Sequence, residues 1–144
     1  MSAETTIILT TDGAARDNQY EDQRRAGFGY VIEHDDERIA EEYQYIGQHP
    51  ICTNNFAEYE AVITGIQDIK DRFADRQVSL RLQSDSEVVI KQLTGAYSVN
   101  EMRKQYDLCM DELSSFSSWQ AEHVPEAPGN DIDRADTLAN KSFK

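Results

Sequence analysis

At Thr53 the spacing of apolar residues changes, and that change confines the chain to a mixed α/β architecture. Before it, short β-branched and aromatic runs alternate with polar turns, the pattern of half-buried strands. After it, Phe56, Tyr59, Val62, Ile63, Ile66, Ile69 and Phe73 recur every three or four positions, the pattern of an amphipathic helix. Thr53 or Asn54 is a suitable N-cap for that helix, and Ala57, Ala61 and Gly65 give it a stripe of small residues for close approach.

Residues 5–11 read as a first strand, 13–25 as a polar loop, 26–34 as a second strand and 38–47 as a third. Downstream, Val78, Leu80 and Leu82 alternate with polar residues in a fourth strand. A short helix over 87–94 stops at Gly95, a longer one spans 98–115, residues 119–124 form a fifth strand, and a last helix follows from Asp131. The order is βββαβααβα, an α/β domain with a five-stranded mixed sheet flanked by helices. A length of 144 residues suits a single domain over 1–144.

The charge balance limits the partners. The chain carries 27 Asp+Glu against 14 Lys+Arg, a net charge of -13. Nucleic-acid binders are usually basic, because neutralised phosphates supply most non-specific affinity. A chain this acidic either avoids polyanions or works where salt screens the repulsion; at molar salt the screening length is about 3 Å. Acidic surfaces also keep halophilic proteins soluble, so a high-salt cytoplasm is expected. Cys52 and Cys109 have no metal-binding spacing and read as free thiols in a reducing compartment. Met1-Ser2-Ala3-Glu4 has no basic signal-peptide region, and no stretch approaches the roughly 18 apolar residues that span a bilayer. A cytoplasmic monomer is expected, with no membrane association and no obligate protein partner.

Acidic residues this frequent carry little information singly, so local context has to decide. Asp12 ends the first apolar strand before Gly13, where a turn former would also fit. Asp85 lies between Ser84 and Ser86 after the fourth strand, a position that also suits a helix N-cap. Glu58 and Asp136 stand beside alanines, Ala57 and Ala61 for one and Ala135 and Ala139 for the other, on faces that turn inward. A buried, unpaired carboxylate is costly, which points to a cation. Four carboxylates from four elements at one sheet edge would make a two-metal site for phosphodiester chemistry.

The chain resembles ribonuclease H of type 1. The resemblance rests on Thr11-Asp12-Gly13-Ala14 with Gly27-Phe28-Gly29, Thr53-Asn54-Asn55 with Glu58-Tyr59, and Ser84-Asp85-Ser86. It continues through Gln92-Leu93-Thr94-Gly95-Ala96-Tyr97 and Ala135-Asp136-Thr137-Leu138-Ala139-Asn140, in family order over nearly the whole chain. It implies the ribonuclease H-like fold and cleavage of the RNA strand of an RNA–DNA hybrid to 5′-phosphate and 3′-hydroxyl ends. It also implies two ions of Mg²⁺ or Mn²⁺ held by Asp12, Glu58, Asp85 and Asp136 as catalytic carboxylates. Asn18, Thr53, Asn54, Asn55 and Ser86 match substrate-binding positions, and Glu58 matches a contact to a 2′-hydroxyl, the group that distinguishes RNA from DNA. Competing readings on the same fold are a non-catalytic hybrid- or partner-binding module and a structure-specific DNA nuclease or transposase core.

Three departures from the family pattern stand out. The loop 125–129 lacks the histidine many relatives carry, and Glu126 is the nearest titratable substitute, a possible auxiliary acid/base. His123, just upstream, is expected to be structural. The basic handle of some relatives is missing, with Arg103-Lys104 the only basic pair there, and the loop after Asn18 is long and charged. A separate N-terminal hybrid-binding domain is also not expected. His34 and His49 read as surface residues, and Phe28, Tyr30, Tyr43 and Trp119 as core and sheet packing.

Overall fold

A computed structural model describes residues 4–144; the Met1-Ser2-Ala3 part of the N-terminal reading lies outside the described residues. Three antiparallel strands come first: β1 (Thr5–Arg16), β2 (Arg25–His34) and β3 (Glu37–Gln48). Helix α1 (Asn54–Arg72) precedes β4 (Val78–Ser84); α2 (Glu87–Leu93), α3 (Arg103–Leu113), β5 (Ser118–His123) and α4 (Asp131–Lys141) complete the chain. The sheet order is β3-β2-β1-β4-β5, with β1–β4 and β4–β5 parallel and the β1–β2–β3 meander antiparallel. The expected order of elements is the observed one.

Two boundaries differ from expectation. β1 does not end at Asp12 but continues to Arg16, and a single 3₁₀ turn at Glu21–Gln23 lies in the remaining loop. Its apolar character stops at Thr11 while its backbone ladder with β2 runs on, through Asp12↔Gly29 to Arg16↔Arg25. The parallel ladder with β4 does stop, at Thr11↔Ser84. α3 begins at Arg103 rather than near Ser98.

Helix α1 covers one face of β1 and β2, and α4 covers the other. Tyr59, Ile66 and Ile69 of α1 are fully buried against Ile7, Leu9 and Leu80 of the sheet. Burial of each large apolar side chain stabilises the fold by about 1.5–3 kcal/mol. The small stripe brings α1 close: a Cβ at Gly65 would lie 2.7 Å from a methyl of Leu9. On the opposite face Val31 packs with Ala135 and Leu138 of α4. A Cβ at Gly29 would stand 2.5 Å from that of Leu138, so glycine sets how closely α4 sits.

Phe28 and Tyr30 stack in the core, but Tyr43 does not join them; it is 47% exposed on edge strand β3, with the Lys141 ammonium 5.6 Å from its ring centre. His34 packs edge-on against Phe73. Cys52 and Cys109 are buried free thiols, and burial pushes the Cys109 thiol up to about 12. Among the described residues no helix is long and apolar enough to cross a membrane.

Candidate metal centre

The centre forms where β1 and β4 part. Past Ser84 the chain turns into α2, so the β1 amide at Gly13 has no strand partner on that side. Glu58 Oε1 accepts that amide at 2.8 Å, and Glu58 Oε2 accepts the Ser84 hydroxyl at 3.3 Å. A carboxylate from α1 thereby occupies the place a continuing strand would fill. No side chain beyond hydrogen fits at residue 13, since a Cβ there would lie 2.5 Å from the Glu58 backbone nitrogen.

Asp12 shares its strand register with Gly29 and so emerges on the α4 face, while Glu58 arrives from the α1 face. Asp12, Glu58 and Asp85 each bring a carboxylate oxygen to within 4.8 Å of the others. Asp12 and Glu58 are buried, at 5% and 7% exposure, and Asp85 is partly exposed at the mouth. Asp136, on α4, stands outside this trio but lies near enough to Asp12 to help raise the Asp12 carboxyl. Asn140, one turn on, donates to the Asp136 carboxylate at 3.3 Å and to its carbonyl at 3.0 Å.

Electrostatics follow from this crowding. Burial first, then the charges of Glu58 and neighbouring aspartates, drive the Asp12 carboxyl far above the usual carboxylate range. Burial also raises Glu58, although its bond from Gly13 works the other way. No Lys or Arg pairs with Asp12, Glu58, Asp85 or Asp136 among the described residues. Hard carboxylate oxygens, buried and lacking a cationic partner, suit Mg²⁺ or Mn²⁺ rather than a soft transition metal.

Around the cluster, Glu126 is exposed on the loop before α4, and its carboxyl is raised chiefly by the charge of Asp136, with Asp133 and Asp85 adding. His123, expected to be structural, has Nε2 3.2 Å from the Asp85 carbonyl oxygen. Thr53 and Ser86 are the N-caps of α1 and α2, accepting the amides of Phe56 at 3.3 Å and Val89 at 3.4 Å. Asn54 and Asn55 are exposed on the first turn of α1, and Asn55 lines a shallow depression with Gln92, Asn100 and Met102. Asn18 lies in the loop after β1, its carbonyl held by Arg24.

The sequence reading missed Ser84 and Asn140 as supports of Glu58 and Asp136. Both had signals: Ser84 is in phase with buried Val78, Leu80 and Leu82, and Asn140 follows Asp136 by one helical turn.

A β3-β2-β1-β4-β5 sheet with an acidic cluster at the β1–β4 divide defines the ribonuclease H-like class of metal-binding α/β proteins. The family model described as "Reverse transcriptase-like" matches residues 11–142. Ribonuclease HI of Halobacterium salinarum is 37% identical over 135 residues, covering 92% of this chain and 61% of its own length. The crystal structure of RNase H1 from that organism superposes with a TM-score of 0.82 at 33% identity, covering 96% of this chain and 97% of that one. LC11-RNase H1, solved in complex with an RNA/DNA hybrid, gives a TM-score of 0.75 at 31% identity, covering 94% and 95%. The chain belongs to the type 1 ribonuclease H family. It spans about three-fifths of the length of the curated Halobacterium relative.

Proposed function

We propose that this protein is a metal-dependent endonuclease that hydrolyses the RNA strand of RNA–DNA hybrids, leaving 5′-phosphate and 3′-hydroxyl ends. The convergence of Asp12, Glu58 and Asp85 within 4.8 Å, with no basic side chain paired to them among the described residues, carries the reading. These three and Asp136 are the residues that would hold two divalent ions. Such ions supply Lewis acidity and compensate charge at the reacting phosphate.

The remaining steps fall to the chain's own groups. The bond from Gly13 and the Ser84 hydroxyl fix the Glu58 carboxylate, and Asn140 fixes Asp136, so the donor oxygens are oriented in advance. Thr53 and Ser86 already accept backbone amides, which leaves their hydroxyl hydrogens to donate to a phosphate oxygen. Asn18, Asn54 and Asn55 offer uncharged contacts, whose strength falls less with salt than that of a lysine. Glu126 holds its proton nearer neutrality than an isolated glutamate, which suits proton delivery at the rim.

The reading extends to a cytoplasmic monomer working at high salt; the excess of 27 acidic over 14 basic residues and the two free thiols support it. The test is cleavage of an end-labelled hybrid with Mg²⁺ or Mn²⁺ across a KCl series, with Asp85→Asn and duplex DNA as controls. RNA-strand cuts that vanish in Asp85→Asn are expected. Binding without cleavage under every metal and salt condition would overturn the enzyme in favour of a hybrid-binding module.

A further inference from the structure

Basic residues are scarce in this chain, and most are already neutralised. Of the 14, eight have a carboxylate within 4.0 Å. The six others among the described residues are Arg16, Arg24, Arg76, Lys104, Lys141 and Lys144. Three of those six, Arg16, Lys141 and Lys144, gather at the end of α4, on the flank of the acidic centre.

Two of these three, Arg16 and Lys141, lie against aromatic rings instead of acids. The Arg16 guanidinium lies 4.1 Å from the centre of the Phe143 ring, and Arg25 lies 5.6 Å from the same ring. Tyr45 meets Phe143 edge-on at 5.8 Å, and Lys141 stands over Tyr43. Lys141 and Lys144 are exposed, and with Arg134 and Asn140 they line an open depression of ≈ 440 Å³. Asp136 lines it too, so the depression opens directly from the carboxylate cluster.

We infer that this cationic, aromatic-backed depression binds the backbone phosphates of the cleaved strand as it leaves the metal centre. The inference rests on the nuclease reading above and adds to it a phosphate-contact surface. A strand whose scissile phosphate faces Asp12 and Asp136 must pass along one flank of α4. Lys141 lies five residues beyond Asp136, about 7.5 Å along the helix. A nucleic-acid strand advances about 3.4 Å per nucleotide. Allowing for side-chain reach, Lys141 and Lys144 meet phosphates roughly two to four nucleotides from the cut. Cations stacked on rings keep a free face for a phosphate oxygen, whereas one bound to a carboxylate is occupied. A structural alternative exists for Lys141, which sits in the last turn of α4 and favours the helix dipole.

The experiment separates the two. Hybrid binding is measured by fluorescence anisotropy in an Asp85→Asn background with Mg²⁺, from about 0.3 to about 3 M KCl. Lys141→Glu is compared with Arg76→Glu, which makes the same charge change in the turn before β4, far from the site. Lys141→Glu is expected to weaken binding about tenfold at the low-salt end and to reduce the slope of log Kd against log [KCl] by about 1, with Arg76→Glu much closer to the parent. Lys141→Arg should restore both quantities. A hybrid with neutral methylphosphonates two to four nucleotides from the cut should bind parent and Lys141→Glu alike. Equal losses in Lys141→Glu and Arg76→Glu would overturn the inference, as would a change confined to melting temperature. In those cases wild-type cleavage persists and the nuclease reading stands. A wild type that neither binds nor cleaves the hybrid would instead remove that reading and this one together.

Discussion

At the scale of single residues, Asp12 carries the largest electrostatic load. Burial and three neighbouring carboxylates disfavour its ionised form. Asp12→Asn removes that load, so the metal-free protein should melt higher, by about 4 °C for each ~1 kcal/mol relieved. The same change should cut RNA-strand cleavage by more than about 10³-fold and abolish the rise in melting temperature on adding Mg²⁺. Calorimetry with and without Mg²⁺, alongside an activity assay, checks both. A variant that stays active would remove Asp12 from the centre. The acidic motifs stood out in the chain because each sits in a distinctive local setting: Asp12 before a glycine, Glu58 after a pair of asparagines, Asp85 between two serines and Asp136 after an alanine. Their supports did not, because a serine at the end of β4 or an asparagine late in α4 acquires its role only from what the fold places opposite it.

Secondary elements show a different limit. Apolar spacing located every strand and helix, since each buries one face. It failed at Asp12 to Arg16, where β1 continues on backbone pairing alone, with small and polar side chains. It also could not foresee that Gly29 sets the seat of α4. Gly29→Ala should push α4 outward, destabilising by about 1–3 kcal/mol and lowering kcat further than stability alone explains, because α4 carries Asp136. Comparing kcat with the melting temperature checks this; loss of stability with unchanged kcat would contradict it. A second prediction concerns β2. The Glu33 carboxyl is pushed up to about 7, first by its hydrogen bond with Asp131, then by burial and the Asp131 charge, with Arg38 opposing. A raised carboxyl pKa means the folded state holds the proton more tightly than the unfolded chain. Its stabilising contribution is therefore complete below about pH 4 and is lost as pH rises through about 7. Glu33→Gln should raise the melting temperature at pH 8 and leave it nearly unchanged at pH 4, which a melt series across that range would reveal.

For the whole molecule, the imbalance of 27 acids to 14 bases dominates. Self-repulsion spread over the surface should make melting temperature climb as KCl rises from about 0.1 M towards 1 M, where the screening length drops from about 10 Å to about 3 Å. Thermal melts across that series test it; a flat or falling profile would argue against a protein suited to strong brine. The acidic centre itself is stitched from distant parts of the chain, with Asp12 on the first strand and Asp136 on helix α4. That has a consequence during synthesis. A ribosome lays down β1 through β5 before α4 exists, and at about 5–20 residues per second the early strands have seconds to pair first. Asp136 joins only when the last helix emerges and docks between Val31 and Gly29. Until α4 emerges, the growing polypeptide carries Asp12, Glu58 and Asp85 without Asp136, so the fourth carboxylate is the last of the set to take its place.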